Sequence, residues 1–168
     1  MAAPTQRSTV PIDETDLRRL IPLARDAIED LFRRKPHVRD AAGRYLCLAL
    51  CQGAALHYLD GKNGIKDFDV WAFFERTGEP QFPYRWRGEV DFGDPKFGKT
   101  PKFSHFAGRK VDVLGRSIPV RSGEAPPEAV RRYIRDGTAR TPRLLSEKAG
   151  ILLHPDEHFG RVLWKTSR

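Results

Sequence analysis

Three aspartates lie in two short segments that otherwise have the composition of buried β-strands. The first segment is Asp67-Phe68-Asp69-Val70, and the second, further along the chain, is Val111-Asp112-Val113. Because side chains alternate across a strand, Asp67 and Asp69 are expected on one face, and Asp112 on a neighbouring strand could join them there. Converging carboxylates repel one another unless a cation lies between them. The pattern therefore predicts a carboxylate cluster that binds a divalent metal ion.

A different interpretation of these aspartates needs no metal. Acids at the edge of a sheet can face water or pair with arginine and lysine side chains, which removes the cost of placing charge in a strand. An isolated Asp-x-Asp pattern is also common. The order of the surrounding elements therefore matters more than the acids alone.

The predicted elements around the aspartates form an ordered series. Residues 44–52 are an apolar run that ends at Gly53, which predicts a buried strand, and residues 54–59 predict a short helix. Strands are then predicted over residues 66–74 and 110–114, and each carries acids. The order is strand, glycine turn, helix, acidic strand, insertion and second acidic strand.

This order resembles the core of the DNA polymerase β-like nucleotidyltransferase superfamily. In that family a Gly-Gly or Gly-Ser turn precedes an Asp-hydrophobic-acid-hydrophobic strand, and a third acid flanked by hydrophobic residues follows on a later strand. Here Gly53 and Ala54 are followed by twelve residues before Asp67, a spacing that fits the family. The resemblance covers roughly residues 44–115 and implies an α/β fold: a nucleotidyltransferase-like mixed sheet with flanking helices in a single domain.

The resemblance also implies an activity. Members of this family transfer a nucleoside monophosphate from a nucleoside triphosphate (NTP) to a hydroxyl acceptor, which can be nucleic acid, protein or a small molecule. Asp67, Asp69 and Asp112 would act in catalysis and hold Mg²⁺ or Mn²⁺. Gly53 and Ala54 would bind the phosphates through backbone N–H groups. Ala54 departs from the family pattern, because it supplies no serine hydroxyl.

Basic residues near the acids predict contacts with anions. Lys62 and Lys66 flank the first acidic strand and are predicted to neutralise phosphates, although such lysines often only keep a turn soluble. Residues 75–108 form an insertion in which cations alternate with aromatic rings. The rings are Tyr84, Trp86, Phe97, Phe103 and Phe106, and the cations are Arg85, Arg87, Lys96, Lys99 and Lys102, followed directly by Arg109 and Lys110. This mixture predicts stacking on the bases of RNA or DNA, or a flap held in place by its own aromatic residues.

The whole chain has the size of one domain. Its 168 residues carry 30 Lys and Arg against 22 Asp and Glu, a net charge of +8. We predict a disordered terminus over residues 1–11 and one domain over residues 12–168. The positive charge favours an anionic partner such as a nucleotide or nucleic acid, or belongs to a solvated surface.

Outside the acidic core, the apolar spacing predicts further elements. A helix is predicted from about residue 13 to residue 34, with a kink or a break into two pieces at Pro22. Residues 117–120 predict an edge strand. Two more helices are predicted over residues 126–134 and 141–149. His57 is expected to be a satisfied or surface histidine, although its helix places it where it could approach the phosphates.

Cysteine use and hydropathy predict where the protein resides. Cys47 and Cys51 are predicted to be packed, reduced thiols on one face of a strand, too far apart for a disulfide. The chain shows neither a secretory signal nor an apolar segment of membrane-spanning length. The sequence therefore predicts a cytoplasmic protein with no membrane partner.

Two other functions fit the same residues. A catalytically degenerate nucleotidyltransferase fold could act as a module that binds nucleic acid or a partner protein through its basic insertion. A component of a bacterial toxin–antitoxin or defence pair is the third interpretation, and it depends only on small size and analogy with the superfamily. Nothing in the sequence assigns an oligomeric state.

Overall fold

A six-stranded mixed sheet forms the centre of the computed structural model, which describes residues 7–166. The strands are β1 Tyr45–Cys51, β2 Phe68–Glu75, β3 Gly88–Asp91, β4 Lys110–Ile118, β5 Ala149–His154 and β6 Val162–Lys165. The α-helices are α1 Glu14–Arg34, α2 Gln52–Asp60, α3 Pro126–Asp136 and α4 Arg140–Leu145, and short 3-10 helices cover Pro36–Arg44, Pro95–Phe97 and Asp156–His158. The predicted α/β fold with a mixed sheet and flanking helices in a single domain is confirmed.

Strand order places the two acidic strands next to each other. The order is β3-β4-β2-β1-β5-β6. Strands β2 and β4 are parallel, and the other neighbouring pairs are antiparallel. Parallel strands need a long connection, which the insertion between β2 and β4 provides.

The sheet separates two hydrophobic layers. On one face, α1 and α2 pack against side chains that include Leu50, Val70 and Val113. On the other face, side chains of α3 and α4 pack with Trp71 and Phe73. Because side chains alternate along β2, Asp69 belongs to the same face as Trp71.

Helix α1 begins at a capping box. The Asp13 side chain accepts a hydrogen bond from the Asp16 backbone N–H, and the Asp16 side chain accepts one from the Asp13 N–H, both at 2.9 Å. Such reciprocal bonds satisfy two N–H groups that lack partners inside the helix. The helix then continues through Pro22 as one element of 21 residues. Of the two alternatives predicted at Pro22, the break into two pieces is therefore wrong, and the kink stays a prediction.

Several predicted boundaries also need correction. Strand β4 runs unbroken from Lys110 to Ile118, so the separate edge strand over residues 117–120 is wrong. Gly115 within this strand leaves room for Phe82, because a Cβ atom there would lie 2.4 Å from the Phe82 ring. The helix predicted over residues 141–149 ends at Leu145, and the apolar run that follows forms the buried strand β5.

The described part of the N-terminal segment pairs with the chain just before β2. The terminus predicted over residues 1–11 lies partly outside the described residues. Within them, Ser8 exchanges two backbone hydrogen bonds with Ile65, at 2.8 and 2.7 Å. These bonds hold this part of the chain beside the residues that precede β2.

The two cysteines are packed thiols, as predicted. Cys47 and Cys51 are free and buried, and both lie on the α3 side of the sheet. Burial raises the pKa of Cys47 to about 12.

Candidate metal centre

The three predicted aspartates converge at the start of the β2–β4 pair. The parallel register places Asp69 beside Asp112, and Asp67 lies immediately before the first residue of β2. One carboxylate oxygen of each residue lies within 4.8 Å of the other two. The predicted cluster is therefore present, although Asp67 precedes the strand in which sequence reasoning had placed it.

The insertion holds the backbone next to Asp67. The carbonyl oxygen of Lys66 accepts hydrogen bonds from Thr100 Oγ1 at 3.2 Å and from Arg109 Nη1 at 3.1 Å. Thr100 Oγ1 in turn accepts a bond from the Lys110 backbone N–H at 2.9 Å. The backbone that precedes Asp67 is thus linked to the start of β4 by a polar network and not by the ladder of the sheet.

Lys110, which the sequence predicted only as one of the cations that could contact nucleic acid, lies among the acids. Lys110 Nζ is 3.3 Å from Asp112 Oδ2, 3.7 Å from Asp67 Oδ2 and 3.5 Å from Glu89 Oε2. Its side chain is only 11% exposed. Lys110 is two residues from Asp112 on one strand, so the rule of alternation already implied that the two share a face. Glu89 was missed because β3 was not predicted.

Burial and mutual repulsion govern the charges of the cluster. Burial, reinforced by the negative charges of Asp67 and Asp112, raises the pKa of Asp69 to about 7. Burial also raises the pKa of Asp112, although the Lys110 ammonium opposes the change. For Lys110, burial alone would lower the pKa, but the attraction of Asp112, Asp67 and Glu89 is larger and raises it. The cluster therefore retains an excess of negative charge that a further cation would relieve.

The geometry of Asp112 fits a bound metal ion. Its Oδ1 atom is buried and has no hydrogen-bond partner among the described residues. Buried acceptors are nearly always satisfied by protein, water or an ion. Mg²⁺ holds oxygen ligands at about 2.1 Å, so its ligands lie up to about 4 Å apart, and only a small contraction of the cluster is needed. The three carboxylates are also the hard oxygen ligands that such an ion prefers.

The turn between β1 and α2 lies beside the acids. The register pairs Cys51, the last residue of β1, with Asp69, and α2 begins at the next residue. That residue, Gln52, has a φ of 65°, a left-handed conformation that is rare for residues other than glycine. The N-terminal N–H groups of α2 thus begin next to the carboxylate cluster, where they can attract an anion.

Gly53 is surrounded by cationic and amide groups. A Cβ atom at Gly53 would lie 3.0 Å from Asn63 Nδ2, 3.5 Å from Arg7 Nη1 and 3.7 Å from Lys148 Nζ. The absence of a side chain therefore leaves a small space that positive groups border. Sequence reasoning predicted Gly53 but missed Arg7 and Lys148, because the folded chain brings them from distant positions. Ala54 is 2% exposed and packs in the core.

The structure gives less support to phosphate binding by Lys62, Lys66 and His57. Lys62 and Lys66 are exposed, and neither ammonium makes an ion pair within residues 7–166, so their role stays a prediction. His57 is buried: its Nδ1 accepts a bond from Gly64 N–H at 2.9 Å, and its Nε2 lies 3.0 Å from the Val10 carbonyl oxygen. Because Nδ1 accepts, Nε2 carries the proton, and His57 is a satisfied structural histidine.

A cavity of about 270 Å³ borders both the carboxylate cluster and the start of α2. Its lining includes Gln52, Asp69, Trp71, Arg87 and Lys148. The positive charge of Arg87 opposes the effect of burial on the pKa of Asp69 and of Asp112. One cavity therefore contains a carboxylate of the cluster, two cations and an indole ring.

The insertion over residues 75–108 is mostly held in place by its own aromatic side chains. Phe97 is 1% exposed and packs against Phe68 and Phe92, so the prediction that Phe97 stacks on bases is wrong. Lys96 is also unavailable, because it pairs with Asp13 and Asp16 of the α1 cap. Of the predicted aromatic residues, Tyr84 is the most exposed, at 62%.

Among residues 7–166, no helix is both long and apolar enough to cross a membrane. Comparison of the chain with protein-family models, with curated proteins and with solved structures gives no match.

Proposed function

We propose that this protein is a metal-dependent nucleotidyltransferase that moves a nucleoside monophosphate from an NTP to a hydroxyl acceptor. The observation that carries the proposal is the convergence of Asp67, Asp69 and Asp112 beside the N-terminus of α2. A carboxylate cluster alone would support only metal binding. Its position next to a helix N-terminus bordered by Arg7 and Lys148 adds a place for phosphates.

The residues of the site divide the work of transfer between them. A divalent cation such as Mg²⁺ or Mn²⁺ on the three aspartates would neutralise phosphate oxygens and lower the pKa of the acceptor hydroxyl. Gly53, Arg7 and Lys148 would bind the leaving phosphates. The acceptor oxygen attacks the α-phosphorus, the bond to the bridging oxygen breaks, and pyrophosphate leaves. Asp112 takes the hydroxyl proton.

Labelling with α-phosphate-labelled NTPs tests this activity. Wild-type protein incubated with Mg²⁺ or Mn²⁺ and a cell extract is expected to label an acceptor, and Asp67→Asn is expected to lower the labelling rate by at least about 1,000-fold, because it removes a metal ligand. Asp40→Asn is the matched control, since Asp40 is exposed and distant in sequence from the cluster. Equal labelling by folded Asp67→Asn protein would refute the assignment.

A second candidate function, nucleic-acid binding without catalysis, is favoured by a larger cleft. This cleft of about 760 Å³ lies between the insertion and α4, and its lining includes Arg76, Arg116 and Arg140. Arg116 donates to the Tyr84 carbonyl and to Thr141 Oγ1, and Arg76 donates to the Ser117 carbonyl. These acceptors are neutral, and neither Arg76 nor Arg116 makes an ion pair with an acid among residues 7–166, although Glu79 also lines the cleft. By contrast, the arginines of α3 pair with acids.

Salt-dependent binding of a single-stranded oligonucleotide tests this second candidate. Arg140→Gln is expected to weaken binding several-fold and to reduce the salt dependence by about one counterion. The matched control is Arg39→Gln, which removes an exposed arginine that already pairs with Glu29. If binding persists in Asp67→Asn protein and no acceptor is ever labelled, the binding module replaces the enzyme. If Arg140→Gln and Arg39→Gln behave alike, the cleft is not the binding surface.

A further inference from the structure

We propose that Lys110 is a resident counter-ion of the acidic cluster. A divalent cation must displace the Lys110 ammonium toward Glu89 in order to bind, and Lys110 therefore sets the metal affinity of the site. This inference rests on the metal site of the proposed function. It gives Lys110 a role different from the nucleic-acid contact that the sequence predicted. Three observations support it: the way the ammonium is shared, what it leaves unpaired, and where it can go.

The Lys110 ammonium is shared among carboxylates and is not locked to any one of them. Its distances to Asp112, Asp67 and Glu89 are 3.3, 3.7 and 3.5 Å. Charge-assisted N–H···O bonds are about 2.7–2.9 Å long. The Lys96 ion pair, which is only partly buried, shows the contrast, because Lys96 Nζ lies 2.6 Å from Asp16 Oδ2. Lys110 thus compensates charge without the short bonds that would resist displacement.

The ammonium also leaves part of the cluster unpaired. It approaches Asp112 on Oδ2, while Asp112 Oδ1 is buried without a partner in the described chain. No ion pair to Asp69 lies within 4.0 Å in the same residues. A metal ion that binds these free oxygens would place its charge next to the ammonium, and at such distances two cations repel strongly. Lysine and metal therefore compete for the same carboxylates.

Glu89 offers the displaced ammonium a destination. Glu89 lies directly opposite Asp112 in the β3–β4 register and is 43% exposed, so it is the most solvated of the three partners. The Phe103 ring lies 4.6 Å from Lys110 Nζ. A rotation of the flexible lysine side chain toward Glu89 would keep one ion pair and free the oxygens of Asp67 and Asp112 for the metal.

Titration of free Mn²⁺ by electron paramagnetic resonance, without nucleotide, tests the inference. We expect Lys110→Gln to bind Mn²⁺ about 10–100-fold more tightly than wild type, because the competing charge is gone. The matched control is Lys102→Gln, which removes an exposed lysine from the insertion that precedes β4 and is expected to change the affinity less than about twofold. Unchanged or weaker binding by Lys110→Gln, or an equal gain in Lys102→Gln, would overturn the inference.

Stability supplies a second readout that remains informative if the variant folds poorly. Without metal, Lys110→Gln is expected to melt at a lower temperature than wild type, and saturating Mn²⁺ is expected to raise its melting temperature more. If the metal-free variant is unfolded, Mn²⁺ is expected to restore the circular dichroism of the native protein; failure to restore it contradicts the inference. No nucleotide is present in these measurements, so their result does not depend on transferase activity. If the protein is an active transferase but wild type and Lys110→Gln bind Mn²⁺ equally well, only the role of Lys110 is refuted.

Discussion

Asp69→Asn is expected to raise the melting temperature of the metal-free protein while it lowers the affinity for Mn²⁺ by about 100-fold or more. The two effects have one cause. Burial and the neighbouring charges of Asp67 and Asp112 raise the pKa of Asp69 to about 7, so the ionised carboxylate destabilises the folded state unless a metal ion is bound. Asparagine keeps the shape and removes both the charge and the ligand. Loss of even an outer partner of a metal ligand costs about 10–100-fold in affinity.

The stabilisation by Asp69→Asn should depend on pH in a defined direction. The pKa of Asp69 is about 7 in the folded protein, whereas an aspartate carboxyl exposed to water has a pKa of 3.8. The folded state therefore binds the proton more tightly, and the stability that protonation gives is lost as the pH rises from about 4 through about 7. Above that range we expect Asp69→Asn to be more stable by about 2 kcal/mol, or roughly 4–8 °C in Tm, and at pH 4 to equal wild type.

Thermal melts in the presence of a chelator, repeated across this pH range, measure the effect. Asp40→Asn serves as the control for loss of an exposed carboxylate. A lower melting temperature of Asp69→Asn at pH 8 would mean that the carboxylate stabilises the fold. Asp69 would then be a structural residue and not a metal ligand whose charge destabilises the metal-free protein.

Gly53→Ala is expected to separate nucleotide binding from folding. The added methyl group would enter the space between Arg7 and Lys148, where the phosphates are proposed to bind. Its closest contact, at 3.0 Å, is Asn63 Nδ2, the end of a side chain that can move. Alanine also favours the helix over glycine by up to about 1 kcal/mol. We therefore expect a change in stability within about 1 kcal/mol, and an NTP affinity at least about tenfold lower because the backbone N–H groups are screened from phosphate.

Titration with a fluorescent NTP analogue, paired with urea denaturation, gives both quantities. Gly43→Ala is the matched control, because a Cβ atom at Gly43 meets nothing within 4 Å. Mn²⁺ affinity should be unchanged in both variants, since the three aspartates are intact. If Gly53→Ala binds the analogue as tightly as wild type, the phosphates do not lie at the N-terminus of α2.

The local patterns of the sequence were sufficient to predict the aspartate cluster and the strands that carry or flank it. Alternation along a strand placed Asp67 and Asp69 together, and apolar runs gave β1, α2, β2 and the start of β4. Each of these elements is encoded by the spacing of apolar residues along a short stretch of sequence. That spacing can be recognised without knowledge of the tertiary structure. The buried run of β5 was assigned in part to a helix, because short apolar segments fit both structures.

The cationic side of the site could not be predicted in the same way. Arg7 and Lys148 approach Gly53 only because the fold brings the segment before α1 and the residue before β5 to the same turn. Glu89 joins the acids through β3, a four-residue strand inside an insertion whose turns obscure the alternation. Lys110 is the exception, since its position two residues before Asp112 on one strand contained the information.

The most direct test of the account is anomalous diffraction from crystals of the protein soaked in Mn²⁺. We expect one anomalous peak about 2.1 Å from oxygens of Asp67, Asp69 and Asp112, with the Lys110 ammonium moved toward Glu89. An empty cluster at millimolar Mn²⁺, with Lys110 still between Asp67 and Asp112, would contradict the account, because the carboxylates would then serve an internal ion pair and not a metal ion.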